Sequence, residues 1–182
     1  MIEIVITDLE LRVAQKMAQR CNLNLNSTEN YKHGAGVDFD GNLEKQLIGQ
    51  LGQLIGCKWK DGTILSYLQH RWVTNQNPKS PDVGSDVIGS NIDFKASLMR
   101  RSQDPETYNL GIKTKEKKPG MVYIQVLIGK EWDKAYLTGW ATTEMFPCEP
   151  LTEGAWAGTY KIPVNQLNPL PPFKWNWFEG RQ

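Results

Sequence analysis

The chain has 182 residues, 40% of them hydrophobic and 23% charged, with a net charge of +1 at neutral pH, which suits one well-filled core and is short for two. No apolar run reaches the roughly 18 residues of a membrane span, and no basic stretch leads into an apolar one at the N-terminus, so a cytoplasmic protein is expected. Cys21, Cys57 and Cys148 are widely spaced and His33 and His70 isolated, which argues against a zinc knuckle or disulfide framework; no glycine-rich nucleotide loop is present.

Thr7 and Glu10 have the spacing of a capping box, and Leu9, Val13 and Met17 form one stripe, which predicts an amphipathic helix over 7–21. Residues 22–40, rich in Asn and Gly, read as a long connection. A second helix is predicted over 42–55, where Gly49, Gly52 and Gly56 cost about 1 kcal/mol each relative to Ala unless they allow close packing on a sheet. A third helix covers 63–72, and 75–85, with its two prolines, is a loop.

The run Asp86-Val-Ile-Gly-Ser-Asn-Ile-Asp93-Phe-Lys95 carries a β-hairpin signal. With Gly89-Ser90 as a two-residue turn, Asp86 falls directly opposite Asp93, on one face with Cβ atoms about 5 Å apart. Lys95 joins that face by the two-residue alternation, and Phe94 projects into the core. Two opposed carboxylates repel unless a cation lies between them, so the pattern points to a divalent metal held against a phosphate. An edge hairpin with a cross-strand salt bridge is the bland alternative. Strands follow at 109–115, 121–128, 135–140 and 158–164, the second and third antiparallel around a loop at 129–133, with 121–128 apolar enough to be central. An extended tail at 168–178 carries Trp175, Trp177 and Phe178, suited to packing on the domain or on a second subunit. The whole is a single α/β domain: an N-terminal helix and connection (1–40), a core (41–170) and an aromatic tail (171–182).

These residues resemble the PD-(D/E)xK nuclease superfamily, in which an acid precedes a strand bearing Asp or Glu, any residue, then Lys. Here those positions are Asp86 and Asp93-Phe94-Lys95. Pro81-Asp82 competes for the first acid, but in the hairpin Asp82 lies about 10 Å or more beyond the paired position. Ile48-Gly49-Gln50-Leu51-Gly52-Gln53 resembles the Gly-x-x-Gly-Glu helix of phage-type members, with Gln53 where the acid is expected. Motif likeness favours Gln53 as the further site residue, whereas the helical wheel, which groups Glu44 with Leu43, Leu47, Leu51, Leu54 and Ile55, favours Glu44. The segment Tyr160-Lys-Ile-Pro-Val164 resembles the ending of phage-type members.

The resemblance implies a restriction-endonuclease-like mixed central sheet flanked by helices. It also implies Mg²⁺, replaceable by Mn²⁺, on Asp86, Asp93 and the Phe94 carbonyl, with Lys95 acting on the attacking water. Site-specific, restriction- or homing-type cleavage of DNA by a homodimer is the expected activity, and an inactive DNA-binding or assembly protein on the same scaffold is the alternative. Arg100, Arg101, Lys113, Lys115, Lys117 and Lys118 either line one groove beside the metal or, for 115–118, form a solvated turn.

Overall fold

The computed structural model describes residues 1–26, 39–75, 86–87, 90–154 and 157–171. Its elements are β1 (Ile2–Val5), α1 (Asp8–Asn26), α2 (Phe39–Asp61), α3 (Leu65–Asn75), β2 (Ile92–Leu98), β3 (Asn109–Lys113), β4 (Val122–Ile128), β5 (Lys134–Thr142) and β6 (Thr159–Pro163). The protein is mixed α/β, with a mixed sheet and three helices among the described residues. None of these helices is long and apolar enough to cross a membrane. His33, Asp82 and the aromatic tail beyond 171 lie outside the described residues.

The first helix begins where its capping box places it. The Thr7 N–H donates to Glu10 Oε2 at 2.8 Å, and the Glu10 N–H to Thr7 Oγ1 at 3.3 Å, satisfying two of the amides that a helix start leaves unpaired. Ahead of it lies β1, a strand the periodicity reading omits: four residues are too few to display an alternation. β1 joins the sheet antiparallel to β5 and forms one of its edges. The Val5 carbonyl accepts from Lys58 Nζ of α2 at 3.2 Å, and the same ammonium pairs with Glu10 at 2.7 Å.

The four-stranded sheet has the order β1-β5-β4-β2, with β4–β5 antiparallel and β2 parallel to β4. All seven residues of β4 are buried because cores lie on both of its faces. Val122, Ile124, Val126 and Ile128 meet Leu51, Leu54, Ile55 and Trp59 of α2 on one side. On the other side Tyr123 packs with Leu110, Ile112, Phe146, Tyr160 and Ile162, where β3 and β6 form a separate antiparallel ribbon.

Helix α2 lies directly on β2, and its glycines explain how. A Cβ on Gly52 would stand 2.3 Å from the Ala96 Cβ, and one on Gly56 would stand 2.4 Å from the Phe94 ring. Gly49 has no such neighbour within 4 Å. The intrinsic helix cost of glycine is therefore offset by contact at two positions and not at the third. Gly49→Ala should raise stability by up to about 1 kcal/mol, the helix-propensity difference, while Gly56→Ala should lower the thermal midpoint by several degrees. Thermal denaturation of the two variants beside the parent checks both signs.

Candidate active site

β2 divides the site between the two faces of the sheet. Ile92, Phe94 and Ala96 turn toward α2, so alternation sends Asp93 and Lys95 to the opposite face. Along the backbone the same alternation decides which groups point to the neighbouring strand. The Val122 N–H donates to the Asn91 carbonyl at 2.8 Å and the Met99 N–H to the Ile128 carbonyl at 2.8 Å, so odd-numbered residues bond to β4. The amides and carbonyls of Ile92 and Phe94 therefore face the outer edge.

Asp86 sits at that edge, in a bend rather than in a strand. This corrects the expected regular hairpin. The Ser90 N–H closes a turn on the Val87 carbonyl at 3.1 Å, and Ser90 Oγ accepts the Ile92 N–H at 3.2 Å. The Asp86 N–H donates to the Ile92 carbonyl at 2.9 Å, but the Asp86 carbonyl turns away to accept Gln53 Nε2 at 2.8 Å. Its side chain takes over the ladder instead, with Oδ2 accepting the Phe94 N–H at 2.7 Å. Asp86 and Asp93 are thus not cross-strand partners, although they remain near enough to interact. Burial pushes the Asp86 carboxyl up to about 8, the Asp93 charge adds to the rise, and the Phe94 N–H, Arg71 and Lys95 oppose it.

On the opposite face Lys95 Nζ lies 3.0 Å from Asp93 Oδ2 and 2.9 Å from Glu116 Oε2. Burial works against this ammonium, yet the two carboxylates outweigh it and hold its pKa above the ordinary lysine range. Glu116 is half-buried, but Lys95 pulls its pKa below the usual carboxylate range. The turn that carries Glu116, Thr114–Glu116, is fixed by Tyr123, whose hydroxyl donates to the Glu116 carbonyl at 2.6 Å and accepts the Lys118 N–H at 3.0 Å. Sequence reasoning missed Glu116 because it lies 21 positions from Lys95 in another turn, and no periodicity links the two.

Helix α2 brings Gln53, 1% exposed, to the Asp86 backbone and leaves Glu44 at the surface in an ion pair with Arg100. The polar stripe of Gln50 and Gln53 faces α3 rather than solvent: Tyr67 donates to Gln50 Oε1 at 2.8 Å, and Gln53 Nε2 lies 3.1 Å from His70 Nδ1. Arg71 donates to Gln53 Oε1, so that oxygen already serves a cation. Of the expected basic groove, Arg100 is engaged by Glu44, and Lys117 by the Pro147 carbonyl at 2.9 Å and the Tyr160 ring.

Among the described residues, no three of His, Cys, Asp and Glu gather as a ready ligand set. The donors present nonetheless suit a hard cation that keeps most of its water: the described contacts of Asp86 and Asp93 use Oδ2 of each, and the Phe94 carbonyl faces the same edge as Asp86. No family model, curated protein or solved structure matches this chain.

The Asp86 shift has a direct stability consequence. In the fold this carboxyl keeps its proton up to about pH 8, whereas in the unfolded chain it loses it near pH 4. The folded state thus binds the extra proton between these values, and stability should fall as pH rises through that window. Glu116, lowered in the fold, stabilises fully above its unfolded value and loses that contribution only in acid, below the same window. Denaturant titrations in EDTA at successive pH values from about 5.5 to 8.5 should show the decline in the parent and a flatter profile in Asp86→Asn.

Proposed function

We propose that the protein is a metal-dependent nuclease of the PD-(D/E)xK type, built on a restriction-endonuclease-like version of its mixed sheet and hydrolysing phosphodiester bonds in DNA. One observation carries this reading: at the edge of β2, Asp86 and Asp93 lie within electrostatic reach of each other, and Lys95 is bound to Asp93 at 3.0 Å. Two acids kept close at an energetic cost are what a cation-binding pair requires.

Asp86, Asp93 and the Phe94 carbonyl are the groups that would hold Mg²⁺ or Mn²⁺. When bound, such an ion lowers the pKa of its water and neutralises charge on the phosphate. The chain supplies the rest. Asp86, which burial keeps protonated, would have to ionise in order to hold the ion, and the Phe94 N–H holds Oδ2 in a fixed direction. Lys95, kept protonated by Asp93 and Glu116, has one N–H left beyond those two partners, and donates it toward the attacking water or a non-bridging phosphate oxygen. Gln53 fixes the backbone at Asp86 and couples it to Arg71. A two-fold pair of such sites would cut both strands at one locus.

A second reading has its own support, because Gln53 stands where an acid is expected and its oxygen is occupied by Arg71. On this reading the scaffold binds DNA without cutting it. Supercoiled plasmid incubated with Mg²⁺ or Mn²⁺ separates the two. The parent should nick or linearise it, Asp93→Asn should fall below detection, and Lys95→Ala should lose about a hundredfold or more. Equal cleavage by all three would remove the proposed site, and gel-shifted but uncut DNA throughout would favour the second reading.

A further inference from the structure

Strand β4 carries one residue that its surroundings do not call for. Six of its seven side chains are apolar or aromatic, and the seventh is Gln125, 1% exposed. A buried amide needs partners for both its oxygen and its nitrogen, whereas a hydrocarbon side chain in the same place would need none. The even-numbered residues of β4 face α2, so Gln125 lies with Tyr123 on the opposite face. That is the face of Asp93 and Lys95.

Two features of the sheet fix where this amide stands. β2 and β4 run parallel with Lys95 in register with Gln125, which sets the two side chains next to each other, about 5 Å apart at their roots. On the other flank the ladder slips. Gln125 pairs with Gly139 and Val126 with Leu137, so Thr138 is an extra residue in β5. Such a bulge re-aims a side chain, and here Thr138, 7% exposed, donates its hydroxyl to Gln125 Oε1 at 2.7 Å. The oxygen is thereby committed to the β5 side. Oxygen and nitrogen diverge on the planar amide, so Nε2 is left for the Lys95 side, and no described contact uses it. That side is also the open one, since Asp93 and Lys95 are partly exposed and Ser97, next on the same face, is exposed.

We propose that Gln125 is a substrate-contacting residue of the nuclease site, its Nε2 donating to a non-bridging oxygen of the phosphate beside Lys95. The proposal rests on the preceding reading that the protein hydrolyses phosphodiesters. A neutral donor held rigid beside a cation strengthens its hydrogen bond as charge builds on the phosphate, and brings no charge of its own. Thr138 is a positioning residue: it touches no substrate and keeps the amide from rotating. A purely structural clamp across the bulge would use the same hydrogen bond, and removing both of its partners at once tells the two apart.

The test combines Gln125→Met with Thr138→Val, which replaces both polar groups by apolar ones of like size, a change that costs a fold little. The double variant should keep the parent's thermal midpoint, while its single-turnover nicking of supercoiled plasmid in saturating Mg²⁺ should fall about tenfold or more. Plasmid affinity with Ca²⁺ in place of Mg²⁺ should change far less, as expected of a contact that strengthens in the transition state. Nicking by the double variant at the parent's rate, or a rate that falls only in step with the thermal midpoint, shows a structural clamp; it overturns the proposal and leaves the nuclease reading standing. Should the double variant not fold, Thr138→Ser is set against Thr138→Val. The variant that keeps the hydroxyl should cut severalfold faster, and equal rates overturn the proposal. A parent that leaves plasmid uncut in both Mg²⁺ and Mn²⁺ removes the nuclease reading and the role of Gln125 with it.

Discussion

The seating of α2 on β2 is the contact from which the rest of the site follows. Gly52 and Gly56 let the helix backbone settle onto Ala96 and Phe94, nearer than any larger residue would permit. This closeness puts Gln53 within reach of the Asp86 carbonyl and pulls that carbonyl away from β2. The edge amide of Phe94 is then left to the Asp86 side chain. Because α2 claims the Ile92–Phe94–Ala96 face, Asp93 and Lys95 are committed to the other one, where Glu116 and Tyr123 wait.

Two electrostatic situations coexist a few residues apart. Around Lys95 opposite charges meet, one ammonium between two carboxylates, and Lys95 and Glu116 hold each other in their ionised forms. Around Asp86 the charges are unbalanced, since burial and Asp93 outweigh the help from Phe94, Arg71 and Lys95. Acids pushed in opposite directions around one lysine, as Asp86 and Glu116 are, are a common sign of a site that awaits a ligand. Here the imbalance is local and sits on the residue whose carboxyl group covers the outward amide of Phe94.

Much of the fold was legible because it follows from local rules. The Thr7–Glu10 box starts α1, and the apolar run of β4, interrupted only by Gln125, marks a strand enclosed on both sides. The site was legible only in part. The hairpin rule matches backbone groups with backbone groups, so it missed a carboxylate standing in for a peptide at Phe94. The helical wheel assumes that a polar stripe faces water, and so preferred Glu44; α3 covers that stripe and makes Gln53 the buried residue. Glu116 reaches Lys95 only through tertiary register, which no window of sequence contains.

The two borders of the four-stranded sheet are each covered by a polar side chain from outside the sheet. At β1 an ammonium occupies an outward carbonyl, and at β2 a carboxyl group occupies an outward amide. Each plug suits the polarity of the group it covers, and together they discourage stacking of sheets from separate molecules into fibrils.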